Sequence, residues 1–285
     1  MGASTKVGFG ATSTVDNALF IISENIVSAV PHINPNGFRG TYSENAGRTI
    51  QGVEKVEGPI VFEPSPEEAA KLLALLGFTN TTGTFTVNDS ALPSKYWTID
   101  REQKVHTFAG MQAAKLTMSA SAGVPWSWTI DFMGTQESAP GNAGTFPAIS
   151  ITETPPLALH HATVTLLGSS RVIDSITVTI DNMVEHKPFN NAYHTPERHG
   201  RMITVEISLP YEGNEDLYDT AVAGDDAELE FTYGNYSSTW TFGNIQFPKS
   251  TVTKQKGSKR MLSLSGQARQ SGTTKELVIV HDSTP

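Results

Sequence analysis

Apolar and polar residues alternate one for one in segment after segment of this 285-residue chain. Examples are Trp126-Ser127-Trp128-Thr129-Ile130-Asp131-Phe132, Ile176-Thr177-Val178-Thr179-Ile180 and Ile203-Thr204-Val205-Glu206-Ile207-Ser208-Leu209. A period of two puts every apolar side chain on one face of a strand and every polar one on the other, whereas a helix would scatter them around its axis. Leu229-Glu230-Phe231-Thr232-Tyr233, Trp240-Thr241-Phe242 and Leu262-Ser263-Leu264 repeat the pattern, with Gly, Pro, Asn and Asp clusters between the runs. The expected fold is mainly β, a sandwich or barrel of half-buried antiparallel strands.

One segment departs from this period. Ser65 to Gly77 opens with Ser as N-cap, Pro66 at the first helical position and Glu68 at the third, and closes on a glycine. These are helix start and stop signals. Ala69, Leu72, Leu73 and Leu76 form one apolar stripe, which predicts a short helix lying over the sheet. A weaker helix is expected from Asn214 to Ala223, stopped by Gly224 and turning Leu217, Ala221 and Val222 inward.

The two predicted helix stops, Gly77 and Gly224, are 147 residues apart, and the same offset carries Ile60 and Phe62 onto Ile207 and Leu209. Trp97-Thr98-Ile99 aligns with Trp240-Thr241-Phe242 at offset 143, and Leu116-Thr117-Met118-Ser119 with Leu262-Ser263-Leu264-Ser265 at 146. Recurrence in the same order points to an internal duplication, with chance similarity among β patterns as the alternative. The expected domains are 1–150 and 151–285, each a β-sandwich or barrel with a short flanking α-helix. The Gly- and Pro-rich stretch from Ala139 to Pro156 lies between them. Pro59, inside an alternating run, fits only an edge strand or a bulge.

Chemistry is hard to find in this chain. With no cysteine there is neither disulfide nor thiolate, and no phosphate-binding Gly-rich loop or Gly-x-Ser-x-Gly elbow occurs. His160-His161 are adjacent, and on a strand would face opposite ways. His186, His194 and His199 fall near Asp181, Glu185 and Glu197 in what reads as a polar loop, without metal-ligand spacing. Asp225-Asp226 reads as a turn before it reads as an acid-base pair. The expectation is no enzyme, no metal and no cofactor. The sequence offers neither a membrane span nor a signal core, so a chain kept in the cytoplasm is expected, and the Asn80, Asn88 and Asn235 sequons carry no weight.

Charge is more informative. A net charge of -9 opposes the phosphate backbone of nucleic acid. The acidic residues Glu212, Glu215, Asp216, Asp219, Asp225, Asp226, Glu228 and Glu230 form a run with no basic member. Lys249, Lys254, Lys256, Lys259, Arg260 and Arg269 form one with no acidic member. Two arrangements fit: the segments sit at opposite ends and set a head-to-tail register, or they screen each other across neighbouring strands.

Gly37-Phe38-Arg39-Gly40 through Arg48-Thr49-Ile50-Gln51-Gly52, then Val56-Glu57-Gly58-Pro59-Ile60 and the helix ending Leu72-Leu73-Ala74-Leu75-Leu76-Gly77, resemble the first half of long-tailed phage tail tube proteins. Ile176-Thr177-Val178-Thr179-Ile180-Asp181-Asn182, Arg201 and the 203–209 strand are similar to the second half. The resemblance implies a virion structural protein, assembled in the host cytoplasm into stacked rings that form the tail tube. It implies sheets continued by those of neighbours, three duplicated copies per pseudo-sixfold ring, and partners that are other copies, the tape measure and other tail proteins. It implies a bore through which DNA passes unbound during ejection, and an Asn34 to Thr49 loop that reaches toward the next ring. The residues expected at ring-ring contacts are Glu212, Glu215, Asp216, Asp219, Asp225, Asp226, Lys249, Lys254, Lys256, Lys259 and Arg260.

The rival reading is a β-sandwich carbohydrate- or receptor-binding module of a phage fibre, which would display aromatics on one outward face. Trp97, Trp126, Trp128 and Trp240 sit instead at alternating positions that look inward. A hydrolase on a β scaffold ranks third, for want of a convergent site.

Overall fold

The computed structural model describes residues 6–33, 50–138, 146, 154–166, 168–187, 193–219, 222–248, 251–253 and 260–283. The first run of strands is β1 (Lys6–Gly10), β2 (Asn17–Leu19), β3 (Ser23–Glu24), β4 (Val27–Ala29), β5 (His32–Ile33), β6 (Ile50–Gln51) and β7 (Lys55–Phe62). Helix α1 (Pro66–Leu75) is followed by β8 (Phe78–Thr81), β9 (Thr84–Val87), β10 (Lys95–Asp100), β11 (Val105–Ser121), β12 (Ser127–Gly134) and β13 (Gln136–Glu137). Next come β14 (Ala162–Leu166), β15 (Ser169–Arg171), β16 (Ser175–Asp181), β17 (Val184–Lys187), β18 (Thr195–Arg198) and β19 (Met202–Pro210). Helix α2 (Glu215–Asp219) leads to β20 (Val222–Tyr233), β21 (Tyr236–Phe247), β22 (Thr251–Thr253), β23 (Met261–Ala268) and β24 (Leu277–Asp282). The protein is mainly β, as the alternation predicts.

One long antiparallel sheet runs across the chain in the order β3/β4, β7, β12, β11, β16, β19, β23, β22. Its alternating strands turn Ile60, Phe62, Trp128, Ile130, Leu116, Met118, Val178, Val205, Ile207 and Leu264 into the core, each at most 3% exposed. The opposite layer is β2-β1-β10-β11-β13 on one side and β15-β14-β20-β21-β24-β9-β8 on the other. Rings bridge the layers: Trp97 on β10 lies 4.5 Å from Phe132 on β12, and Trp128 on β12 lies 5.9 Å edge-on to Trp240 on β21. All four tryptophans are fully buried, as their inward positions predict.

The pairings of residues 6–137 recur in the same chain order in 162–282. The hairpin β1-β2, the ladders β1-β10, β10-β11 and β11-β13, and the ladder β7-β12 are matched by β14-β15, β14-β20, β20-β21, β21-β24 and β19-β23. The registers match too. Ile60 faces Ile130 as Ile207 faces Leu264, and Gln112 faces Met133 as Gln246 faces Gln267. Both central ladders slip at the same place, between Lys95/Met111 and Trp97/Phe108 in one and between Asp225/Ile245 and Ala227/Phe242 in the other.

This correspondence keeps the alignment of Ile60 with Ile207 and changes the two that follow it. Trp97 on β10 corresponds to Ala227 on β20, so Trp240 is one strand off. Leu116 on β11 and Leu262 on β23 are also on non-equivalent strands. Hairpin β8-β9 after α1 has no counterpart among the described residues and shifts the spacing. Neighbouring alternating strands look alike in sequence, so a slip by one strand leaves the pattern intact.

The two halves are joined rather than spaced apart. β11 pairs with β16 over seven residues, β9 pairs with β24, and one hydrophobic cluster draws on both halves. Asn182 stitches the joint: its backbone N–H donates to Ala114 O, and its Nδ2 donates to the carbonyls of Leu76 and Ala113. The predicted boundary segment falls largely outside the described residues.

Strand β11 serves both layers by bending at Gly110, which has a φ of 68°. A Cβ there would meet the Thr135 side chain at 2.6 Å. The matching residue of β21, Asn244, is also left-handed at 45°, and the adjacent carbonyls, Ala109 O and Gly243 O, accept from Thr135 N and Arg269 N. Gly110→Ala is expected to lower stability by about 1–3 kcal/mol, since it adds left-handed strain to a clash; the shift of the urea midpoint measures it. Pro59 is not at an edge but lies against the break between β3 and β4, where its carbonyl accepts from Asn25 N.

Helix α1 carries the full capping box: Glu68 N donates to Ser65 Oγ, and Ser65 N donates to the Glu68 carboxylate. The other Glu68 oxygen accepts from Phe20 N at 2.8 Å, tying β2 to the helix start, and Gly77 takes the left-handed stop at 82°. The second helix is shorter than expected. It spans Glu215–Asp219, and Gly224 lies inside β20 rather than at a helix end. Val222 already pairs with Phe247, so the sheet claims the residues a longer helix would need.

On β24, His281 is 3% exposed and its Nε2 lies 2.7 Å from the carbonyl of Pro66, which can only accept, so Nε2 carries the proton. Burial holds this imidazole below its ordinary value. A lowered histidine takes up a proton more readily unfolded than folded. Its contribution is therefore complete above the ordinary histidine range and is lost as pH falls through about 6.5. His161 and His186, also held low by burial, act with the same sign. The urea midpoint is expected to fall between pH 7 and 5, and His281→Gln, which keeps a donor toward Pro66, is expected to flatten that slope.

Candidate assembly surface

The outer face of the long sheet is a field of hydroxyls. Successive strands place Thr129, Thr117, Thr179 and Thr204 side by side, then Ser119, Thr177, Glu206 and Ser265, then Ser121, Ser175, Ser208 and Ser263. Its two described lysines each stand beside carboxylates. Lys115 stands between Asp131 and Asp181 on the flanking strands, and Lys55 Nζ is 2.6 Å from Glu57. Burial holds the Asp131 carboxyl above its ordinary value; Lys115 pulls it back and Asp181 pushes it further up. With Glu206, four carboxylates face two lysines among the described side chains here. Such a face offers a polyanion few isolated cations to bind.

Both ends of this sheet are open. β3 and β4 pair only with β7, and β22 only with β23, among the described residues. The first edge is flanked by exposed apolar side chains, with Phe20, Ile22 and Val27 each about half exposed. A free strand edge is a template for another chain. An edge that also exposes apolar surface is one that gains by being covered.

The phage tail tube protein family model matches residues 2–268. The chain belongs to the phage tail tube protein family. No curated protein matches it. Membership makes this a structural protein of the virion tail that assembles with its own kind and with other tail proteins, and it points to a non-enzymatic role.

The residues singled out by charge in this tail tube chain divide three ways. Glu212, Glu215, Asp216 and Arg260 are exposed on the described surface. Arg171 donates to Asp216 at 2.7 Å, and that hydrogen bond holds the Asp216 carboxyl below its ordinary value. Asp219, Asp225 and Asp226 lie in α2 and β20, with their side chains outside the description. Lys249, Lys254, Lys256 and Lys259, and the Asn34 to Thr49 loop, lie outside the described residues.

His160 and His161 stand in a 3-10 turn rather than on a strand, with ring centroids 4.0 Å apart. Glu185, His186 and Glu197 sit on the hairpin β17-β18 rather than in an irregular loop, and His186 approaches Glu57 at 3.8 Å. Among the described residues, no three His, Asp or Glu side chains gather to hold a metal ion. No helix there is long and apolar enough to cross a membrane. Sequence reasoning missed the hydroxyl face: β12, β11, β16, β19 and β23 each carry part of it, but only strand order shows that the rows are continuous.

Proposed function

We propose that the chain is two tandem tail tube domains, residues 1–150 and 151–285, and that three copies close into a ring of six similar lobes. Rings stack head to tail into the tail tube, assembled in the host cytoplasm with the tape measure and other tail proteins as partners. The hydroxyl face of the long sheet lines the bore. The observation that carries this reading is the recurrence of one set of strand pairings, register for register, on a sheet that among the described residues has eight strand positions and is open at both ends. A sheet with two open edges either stays exposed or closes through copies of itself, and identical end-to-end contacts close into rings. The bore then repels phosphate in general and holds it nowhere in particular, so DNA slides through during ejection. Stacking falls to the two charge runs: Glu212, Glu215, Asp216, Asp219, Asp225 and Asp226 of one ring against Lys249, Lys254, Lys256, Lys259 and Arg260 of the next. The Asp216-Arg171 pair shows that part of the acidic run is also engaged within the chain.

Negative-stain electron microscopy of the purified protein tests this. Hollow rings or tubes are expected. Compact single particles at all concentrations, or binding of a glycan or receptor by a monomer, would favour the fibre-module reading instead.

A further inference from the structure

The joint between the two halves contains a template for the joint between two molecules. Within the chain, β11 pairs with β16 antiparallel, Thr117 facing Thr179, Met118 facing Val178 and Ser119 facing Thr177. The repeated registers say which segments stand in the same places at the open ends. β22 holds the place of 117–119: Thr251, Val252 and Thr253 face Ser263, Leu262 and Met261 of β23 as Thr117, Met118 and Ser119 face Thr129, Trp128 and Ser127 of β12. The β3-β4 edge holds the place of β16: Ser23 and Glu24 face Val61 and Ile60 of β7 as Ser175 and Ile176 face Ser208 and Ile207 of β19. Carrying the inner joint outward pairs Thr251 with Val27, Val252 with Ile26 and Thr253 with Asn25.

The backbone of that edge agrees. Hydrogen-bonded pairs alternate along an antiparallel ladder. Ala122 N donates to Asp174 O, and Asn182 N donates to Ala114 O, which makes Met118 and Val178 a hydrogen-bonded pair by count. On the open edge, Asn25 N donates inward to Pro59 O, so the N–H and C=O of Ile26 point outward, as the same phase requires. They are not left bare. Ile26 N donates to Glu24 Oε2 at 3.1 Å, and Arg101 Nη2 donates to Ile26 O at 2.7 Å, while Arg101 also grips both Glu24 oxygens. An ion pair thus occupies the one backbone position that an added strand would use first.

We infer that β22 of one copy adds antiparallel to the β3-β4 edge of another in this register, and that it takes over the hydrogen bonds of Ile26 from the Glu24-Arg101 pair. The partner is a second copy of this chain, so the inference rests on the ring reading above and specifies its contact. In the free protein the ion pair blunts an edge that would otherwise accept any extended segment. Only a strand that also covers the neighbouring apolar side chains displaces it.

The absence of cysteine makes the test direct. In the double variant Val27→Cys/Thr251→Cys, the two positions form a non-hydrogen-bonded pair across the joint, a separation that a disulfide spans. Within one chain six strands lie between them, so a bond there must join two molecules. Oxidation of assembled protein is expected to give covalent dimers and trimers on a non-reducing gel. Val27→Cys/Val252→Cys, one residue out of register, is expected to run as the monomer on the same gel. Asn25→Cys/Thr253→Cys provides a second in-register pair should the first fail to assemble. Rings that form without bonding in either in-register pair, or that bond equally out of register, overturn this contact and leave the tube reading standing. Absence of rings from the unaltered protein overturns both. Arg101→Ala removes half of the cap and is expected to lower the protein concentration at which rings form by about fivefold, the equivalent of one hydrogen bond no longer displaced. An unchanged or higher threshold overturns the displacement step.

Discussion

Trp128→Ala is expected to remove about 3–5 kcal/mol of stability, the range for truncating a buried aromatic. Trp128 is fully buried on β12, pairs edge-on with Trp126 at a centroid distance of 5.1 Å, and meets Trp240 of the other half at 5.9 Å. Trp126 in turn lies 5.2 Å from Phe231 on β20 and donates its Nε1 to Pro64 O at 2.7 Å. The cavity therefore opens where the halves meet, and both lose contacts at once. A shared core and the β11-β16 joint also predict a single unfolding transition. Urea denaturation followed by far-ultraviolet circular dichroism and by tryptophan fluorescence should give coincident curves for the unaltered protein and the variant. Two separated transitions, with only one moved by the substitution, would mean that the halves hold their own cores.

Much of this was legible in the residues, and the reason differs from place to place. The 203–209 and 126–132 strands announce themselves because one face is wholly apolar and the other wholly polar. Helix α1 is legible because capping is local chemistry: Ser65, Pro66 and Glu68 sit within four positions of one another. Helix α2 spans only Glu215–Asp219 although the helical pattern runs on to Ala223, because Val222 pairs with Phe247 on β21, a contact that no local window contains. The offset of 147 carries Ile60 onto Ile207 as the recurring pairings do, but the alignment beyond α1 is not legible, since the β8-β9 hairpin shifts the spacing and one alternating strand resembles the next. The Glu24-Arg101 cap left no trace in sequence. It joins residues 77 positions apart, and each alone reads as an ordinary surface charge.

Val252→Pro should leave the chain folded and abolish rings. By correspondence with Met118, the N–H of Val252 points away from β23 and serves no ladder among the described residues, so its loss costs the monomer little at an edge strand. Across the joint, the same N–H is the donor that Ile26 O would accept, and the proline ring stands where the neighbouring strand must approach. The thermal midpoint is expected to stay within a few degrees of the unaltered protein while sedimentation shows monomer alone. Rings formed by this variant at the usual concentration would place the contact elsewhere.

The central claim is that each chain supplies two equivalent sheet units to one closed barrel. It is tested most directly by end-on images of isolated rings combined with the mass of the same rings by native mass spectrometry. The account predicts six similar lobes in a particle with the mass of three chains. Six lobes from six chains, or a ring whose lobes match the number of chains one for one, would contradict it.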